Sequence, residues 1–71
     1  MLNVEFKDQV RIANMIKRSK GDHEKLLSLA MNMANAIQDP AKAQRRADAA
    51  KMFGLPEVVG IFKYRVKQLS W

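Results

Sequence analysis

The 71-residue sequence has no cysteine, one histidine and three glycines. Without cysteine, the chain can form neither a disulfide bridge nor a thiolate metal site. The single histidine, His23, has no second imidazole with which to share a metal ion, and the acidic residues do not follow the spacing of a calcium-binding loop. We therefore predict that the chain holds no metal ion and no cofactor, and that His23 is a solvated residue at a helix start.

Catalytic groups are also scarce. The aliphatic hydroxyls are those of Ser19, Ser28 and Ser70, and none of them stands between the glycines of a nucleophile elbow. The three glycines are too far apart to form a loop that cradles a phosphate. A chain of this length has little room for both a core and an enclosed pocket, so we predict a binding protein rather than an enzyme.

Long apolar runs are missing as well. The longest uncharged run, residues 26–38, has thirteen residues, including Ser28 and Asn32, and is too short to cross a bilayer. The N-terminal residues reach the acidic Glu5 and Asp8 without an apolar segment, so they do not resemble a secretory signal. We expect no membrane association and a cytoplasmic location.

Turn-forming residues divide the chain into four helical segments. The breaks are Lys20-Gly21-Asp22, Asp39-Pro40 and Gly54-Leu55-Pro56, where glycine and proline interrupt helices. No segment alternates apolar and polar residues long enough to form a strand. We predict one compact, all-α, four-helix domain that comprises the whole chain, 1–71, with helices at about residues 4–19, 23–38, 40–53 and 56–69.

Capping residues stand at these breaks. The side chains of Asp22 and Asp39 can accept hydrogen bonds from the free amides at the start of the second and third helices. Pro40 suits the first position of the third helix. Gly54 stands where a helix end requires a left-handed residue.

Each predicted helix has an apolar face, and we expect these faces to form the core. The second helix is apolar over more than half of its circumference, so we expect it to be the central one. The expected core residues are Phe6, Val10 and Ala13, with Ile12 and Ile16 beside them, in the first helix; Leu26, Leu27, Ala30, Met33, Ala34 and Ile37 in the second; Ala43, Ala47, Ala50 and Phe53 in the third; and Val58, Val59, Phe62, Val66 and Leu69 in the fourth.

Charge is the most informative property of the sequence. The chain has 13 Lys and Arg against 7 Asp and Glu, and residues 40–71 hold seven of the basic and two of the acidic side chains, or +5 of the net +6. Such a concentration favours contacts with phosphates, because these contacts release condensed counterions. We predict nucleic-acid binding, chiefly of DNA, by the last two helices through Arg45, Arg46, Lys51, Lys63, Arg65 and Lys67.

The stretch from residue 46 to residue 59 resembles the core of a helix-turn-helix DNA-binding unit. The shared features are the small Ala50, Gly54 four residues later and the apolar Leu55, and they place a corner at residues 50–58. The resemblance implies that the helix after Pro56 lies in the major groove. The chain departs from the pattern where bases would be read, so we expect contacts with the backbone rather than with base edges.

The sequence leaves a second function open, association with another protein. Basic residues of the first helix recur at spacings that align them on one side of the helix, and exposed aromatic residues often anchor protein interfaces. The partner would be a second copy of the chain, or a larger acidic protein on which the chain docks as a small adaptor or inhibitor, as a phage-type accessory factor would. The residues expected to contact such a partner are Lys7, Arg11, Arg18, Ile61, Tyr64 and Trp71.

Overall fold

The computed structural model describes residues 5–70, and four α-helices make up most of that range. They are α1 (Phe6–Ser19), α2 (His23–Ala36), α3 (Pro40–Met52) and α4 (Pro56–Ser70). The predicted all-α, four-helix architecture is confirmed, and each helix begins and ends within two residues of the predicted bounds. Val4, where the first helix was expected to begin, lies outside the described residues.

Both predicted aspartate caps are present. An Asp22 carboxylate oxygen accepts a hydrogen bond from the Lys25 amide at 3.2 Å, and an Asp39 oxygen accepts one from the Ala41 amide at 3.0 Å. Pro40 occupies the first turn of α3, where the missing amide hydrogen would have had no partner.

The turn between α3 and α4 is closed by two backbone hydrogen bonds. The Leu55 amide donates to the Ala50 carbonyl at 3.1 Å, and the Gly54 amide donates to the Lys51 carbonyl at 3.0 Å. This pair of bonds is the Schellman motif, which needs a left-handed residue just beyond the helix. Gly54 supplies it with a φ of +70°, as its position in the sequence predicted.

The helices pack in a closed order, so that each makes its main contacts with two others. α1 packs against α2 and α3, and α4 packs against the same two helices, with the most extensive contact between α3 and α4. The expectation that α2 is central was therefore wrong. The contact between α3 and α4 is extensive because small side chains line the buried side of α3, namely Ala43, Ala47, Ala49 and Ala50.

The core is made of small side chains to an unusual degree. Six of the twelve buried apolar residues in the described range are alanines, and the largest fully buried side chain is that of Phe62. The expected inner face of α4 is confirmed, since Val58 and Phe62 are buried while Val59, Val66 and Leu69 pack against them. Phe53 was expected in the core but is 41% exposed, because it follows the last turn of α3 as its C-cap.

The orientation of α1 differs from the prediction. Phe6 is 79% exposed and Val10 38% exposed, whereas the buried residues of the helix are Asp8, Ile12, Met15 and Ser19. The expectation holds for Ile12, which is buried, and for Ile16, which packs against the core. It is wrong for Phe6, Val10 and Ala13, all of which are exposed, because the buried side of α1 is centred almost opposite that sector of the helix. The cause is a polar contact that Asp8 makes with α3.

A buried ion pair joins α1 to α3. Arg46 Nε donates to Asp8 Oδ1 at 2.8 Å, and the two residues are 5% and 0% exposed. Arg46 Nη1 also contacts Met33 Sδ of α2 at 3.0 Å. The second carboxylate oxygen of Asp8 accepts a hydrogen bond from the Glu5 amide at 3.3 Å and lies 3.5 Å from Arg45 Nε. We call Asp8, Arg45 and Arg46 the α1–α3 clamp.

The clamp keeps Asp8 ionised despite its burial. Burial raises the pKa of this carboxyl, but the hydrogen bonds from Arg46 and the Glu5 amide, together with the charges of Arg46 and Arg45, outweigh that effect. The net result is a pKa below the ordinary value. Ionised Asp8 is therefore more stable in the folded chain than in the unfolded one.

Replacing Arg46 with methionine is expected to destabilise the fold by about 3 kcal/mol or more, because Asp8 stays buried without its closest cationic partner. Chemical unfolding followed by circular dichroism measures the loss. The double variant Asp8→Leu/Arg46→Met replaces both charged groups with apolar ones and should recover most of the stability. A loss below about 1 kcal/mol in the single variant would contradict a strongly coupled buried pair.

The clamp should weaken in acid. Because the folded-state pKa of Asp8 lies below the ordinary 3.8, the carboxylate stabilises the fold above that value, and the stabilisation is lost as the pH falls through the folded-state pKa. Asp8→Asn removes this titration. The difference in unfolding free energy between the wild type and Asp8→Asn should therefore be largest near neutral pH and shrink in strong acid. A difference that is constant across that range in equilibrium unfolding experiments would overturn the assignment.

Candidate nucleic-acid interface

The six basic residues predicted to contact phosphates do not share one surface. Arg46 is buried in the α1–α3 clamp, and the Arg45 side chain, 21% exposed, lies 3.5 Å from Asp8 and 3.9 Å from Glu5. Their charges are used inside the chain, so we remove both arginines from the interface. Sequence periodicity does not reveal such a pairing, because Arg46 and Asp8 are 38 residues apart.

Arg65 also has an internal role. Its guanidinium donates to the Ile37 carbonyl from Nε at 3.1 Å and from Nη2 at 2.9 Å, and Nη2 lies 3.4 Å from the Asn35 carbonyl. These carbonyls lie at the C-terminal end of α2, where the helix leaves acceptors without an intrahelical partner. Arg65 therefore caps α2, and we remove it from the interface too.

One signal in the sequence indicated this cap. The last turn of α2 has no basic residue, and no glycine follows it, so the chain near that end offers none of the usual partners for the final carbonyls. Water or a donor from another helix can bond such carbonyls, and here a donor from another helix does so. The sequence does not specify which of the basic residues of α3 and α4 does so.

The other three predicted residues remain on the surface. Lys51 and Lys63 line one shallow depression at the corner between α3 and α4, together with Leu55, Pro56 and Val59. Lys67 is exposed one helical turn beyond Lys63. We call Lys51, Lys63 and Lys67 the corner lysines.

The first turns of α4 do not present a base-reading surface at this corner. Val58 is 1% exposed, and Glu57 Oε1 lies 2.8 Å from His23 Nε2 at the start of α2. Ile61 lies between α2 and α4. The local features shared with helix-turn-helix proteins are present, in that Ala50 is buried and Gly54 is left-handed, but the exposed residues that would face bases are directed elsewhere.

A second group of three cations lies between α1 and α2. Arg11, Lys17 and Arg18 of α1 line a depression there, with Asn14 beside them. The remaining lining residues are Met15, Leu29, Asn32 and Met33.

A second depression continues the first. It shares Arg11 and Met33 with it and extends to Ile37 at the end of α2 and Lys42 in the first turns of α3, above the buried Arg46. We call the combined depression, from Arg18 to Lys42, the basic groove. The described residues that line it include no carboxylate.

A third depression separates α2 from α4 and has a different chemical character. Its apolar lining comes from Met31, Ala34, Ile61 and Tyr64, with Gly60 between them. Three polar or charged residues, Glu57, Arg65 and Gln68, complete the lining on α4, and Asn35 completes it on α2. We call it the α2–α4 groove.

The residues predicted to contact a protein partner are thus divided among different surfaces. Arg11 and Arg18 line the basic groove, whereas Ile61 and Tyr64 line the α2–α4 groove. Lys7 lies at the start of α1, with Nζ 3.3 Å from the Glu5 carboxylate. Trp71 lies outside the described residues.

Replacing Arg65 with methionine should lower the free energy of unfolding by about 1–2 kcal/mol, because the last carbonyls of α2 lose a charged donor. Arg65→Lys should recover only part of the loss, since an ammonium group lacks the planar fork that bonds Ile37 twice. Lys67→Ala, an exposed change on the same helix, is the control and should lie within about 0.5 kcal/mol of wild type. Equal losses in Arg65→Met and Lys67→Ala, measured by chemical unfolding, would argue against the cap.

The described residues show no metal site and no membrane-spanning helix. Within residues 5–70, no group of three His, Asp or Glu side chains is placed to hold a metal ion. None of the helices in that range has the length and apolar character needed to cross a membrane. Comparison of the chain with protein-family models, with curated proteins and with solved structures finds no match.

Proposed function

We propose that the protein is a non-enzymatic, cytoplasmic nucleic-acid-binding protein that contacts the phosphates of a duplex along the basic groove. The observation that carries the proposal is the continuous groove lined by Arg11, Lys17, Arg18 and Lys42 without a carboxylate among its described lining residues. The proposal keeps the predicted ligand class and moves the interface from the last two helices to α1, α2 and the start of α3.

The cations of the groove are available for an external ligand. The ion pairs within residues 5–70 involve Lys7, His23, Arg45 and Arg46, and none of the four exposed groove cations is among them. An unpaired cation contributes more to binding a polyanion than a paired one, because no internal carboxylate has to be displaced. Each phosphate that it neutralises releases a condensed counterion.

The spacing of the groove suits a duplex backbone. Arg11 and Arg18 are separated by two turns of α1, about 10 Å along the axis, which equals about three base-pair rises of 3.4 Å. Lys42 extends the row of charges beyond Arg11. The amides of Asn14 and Asn32 line the same surface and can donate hydrogen bonds to phosphate oxygens.

The lining favours a nucleic acid over an acidic protein as the ligand. The residues that most often anchor protein interfaces are tryptophan, tyrosine and arginine. The basic groove has arginines but no aromatic residue in its described lining, whose apolar members are Met15, Leu29, Met33, Ala36 and Ile37. The same lack of aromatic lining favours duplexes over single strands, whose bases stack on aromatic side chains. None of the helices α1–α4 projects from the groove, so its cations support binding to the backbone without reading of the bases.

Two triple variants of equal charge test the location of the interface. Arg11→Ala/Lys17→Ala/Arg18→Ala removes three groove cations, whereas Lys51→Ala/Lys63→Ala/Lys67→Ala removes the three corner lysines. Binding to a labelled DNA duplex is measured by fluorescence anisotropy at several salt concentrations. With four phosphate contacts, the wild type should show a slope of log K against log salt of about −3.6, and the groove variant a slope of about −1.

The corner variant is the matched control, because it has the same net charge as the groove variant. It should keep a slope near that of the wild type. If both variants lose affinity equally, binding depends on net charge and the groove has no special role. If only the corner variant loses affinity, the interface lies on the last two helices. A wild-type affinity that is absent at low salt, or that is constant across salt concentrations, would exclude phosphate binding altogether.

A further inference from the structure

Gly60 occupies a helical position at which nothing in residues 5–70 requires a glycine. It is the fifth residue of α4, has no positive φ, and a Cβ atom placed on it would meet no atom within 4 Å. Glycine is one of the least favourable residues in a helix interior, since it lowers helix stability relative to alanine. Neither the backbone conformation nor internal packing therefore requires glycine here.

The surroundings of Gly60 indicate what the missing side chain permits. It lines the α2–α4 groove between two large apolar side chains, those of Met31 and Tyr64, which are 54% and 65% exposed. Ile61 lies beside it and is only partly covered by the core. A glycine among exposed apolar side chains lets the backbone of another helix approach closely.

The charges of the groove are arranged symmetrically about its centre. Glu57 precedes Ile61 by four residues, and Arg65 follows Ile61 by four residues, each about 6 Å away along the helix. If two α4 helices lie antiparallel and cross at Ile61, each Glu57 faces the Arg65 of the other chain. Within one chain, Glu57 Oε1 lies 2.8 Å from His23 Nε2 although the Glu57 side chain is 61% exposed. Arg65 caps α2 through Nε and Nη2, and its Nη1 donates to Gln68 at 3.4 Å. The contact between copies is therefore left to Glu57 Oε2 and to the second hydrogen of Arg65 Nη1.

The distribution of charge also favours this face over the basic surfaces of the molecule for contact with a second copy. The chain has a net charge of +6, and two copies repel one another when their basic surfaces meet. The described lining of the α2–α4 groove has one carboxylate and one guanidinium, so its formal charge is balanced. This is a face on which a second copy can dock without bringing unpaired like charges together.

We propose that the α2–α4 groove is a homodimer interface, in which α4 packs antiparallel against α4 of a second copy of this chain with Gly60 and Ile61 at the crossing. A two-fold axis through this point makes the same patch contact itself, as in most dimers. The inference does not depend on the proposed function. In the dimer both basic grooves stay open, because they lie on the opposite side of α2.

The variant Gly60→Ala distinguishes a glycine that is needed for dimerisation from one that is needed for the fold of the monomer. Alanine should raise the melting temperature of the dilute monomer, because it favours the helix, and should weaken dimerisation by about tenfold or more, because a methyl group enters a close contact. Sedimentation equilibrium from micromolar to millimolar concentration measures the dissociation constant. Lys67→Ala, on the same helix but outside the groove, is the control and should leave dimerisation unchanged or slightly stronger.

The antiparallel arrangement of the two α4 helices can be tested by disulfide cross-linking through introduced cysteines, because the chain contains no cysteine of its own. A disulfide requires two Cα atoms within about 7 Å of each other. The variant Ile61→Cys places a cysteine at the proposed two-fold axis, where the two copies are closest, so it should form an intermolecular disulfide readily under mild oxidation. Gln68→Cys lines the same groove two turns away, where an antiparallel crossing separates the two copies, and should cross-link poorly.

Three results would overturn the proposal. The first is a wild-type chain that stays monomeric at millimolar concentration. The second is a dimer whose dissociation constant is unchanged by Gly60→Ala, which would place the interface elsewhere. The third is more efficient cross-linking through Gln68→Cys than through Ile61→Cys, which would exclude an antiparallel crossing at Ile61.

Discussion

The buried contact between Asp8 and Arg46 is the interaction on which the arrangement of the four helices depends. The described part of α1 buries two apolar side chains, Ile12 and Met15, against a core that is half alanine, and the ion pair on the same side of the helix adds a directional contact to that burial. The ion pair turns Asp8 inward, and that rotation carries Arg11 and Arg18 to the side of α1 that faces the basic groove. Internal pairing thus determines which cations reach the surface and on which side of the molecule they gather.

Local signals in the sequence predicted the helices well. The number of helices, their bounds to within two residues, the aspartate caps of α2 and α3 and the left-handed Gly54 all follow from residues close together in the chain. The inner face of α4 was also predictable, because its apolar residues recur at one spacing and its polar residues lie opposite.

The candidate site could be predicted only in part, because it depends on contacts between distant residues. The alignment of Arg11 and Arg18 was visible in the sequence, but their juxtaposition with Lys42 required the packing of three helices. Composition ranks Arg46 and Arg65 with the exposed cations, although one is buried against Asp8 and the other caps α2. The predicted orientation of α1 was wrong because a prediction from apolar spacing assumes that every aspartate is exposed to solvent, whereas Asp8 is buried.

The cap that Arg65 places on α2 joins two parts of the chain that are synthesised at different times. The carbonyl of Ile37 leaves the ribosome well before Arg65 does, and water has to solvate it until α4 docks. The C-terminal end of α2 therefore acquires its last protein hydrogen bonds only when α4 docks. Detachment of α4 leaves the end of α2 frayed, so a disturbance at one helix spreads to the other, and this coupling favours cooperative, all-or-none melting.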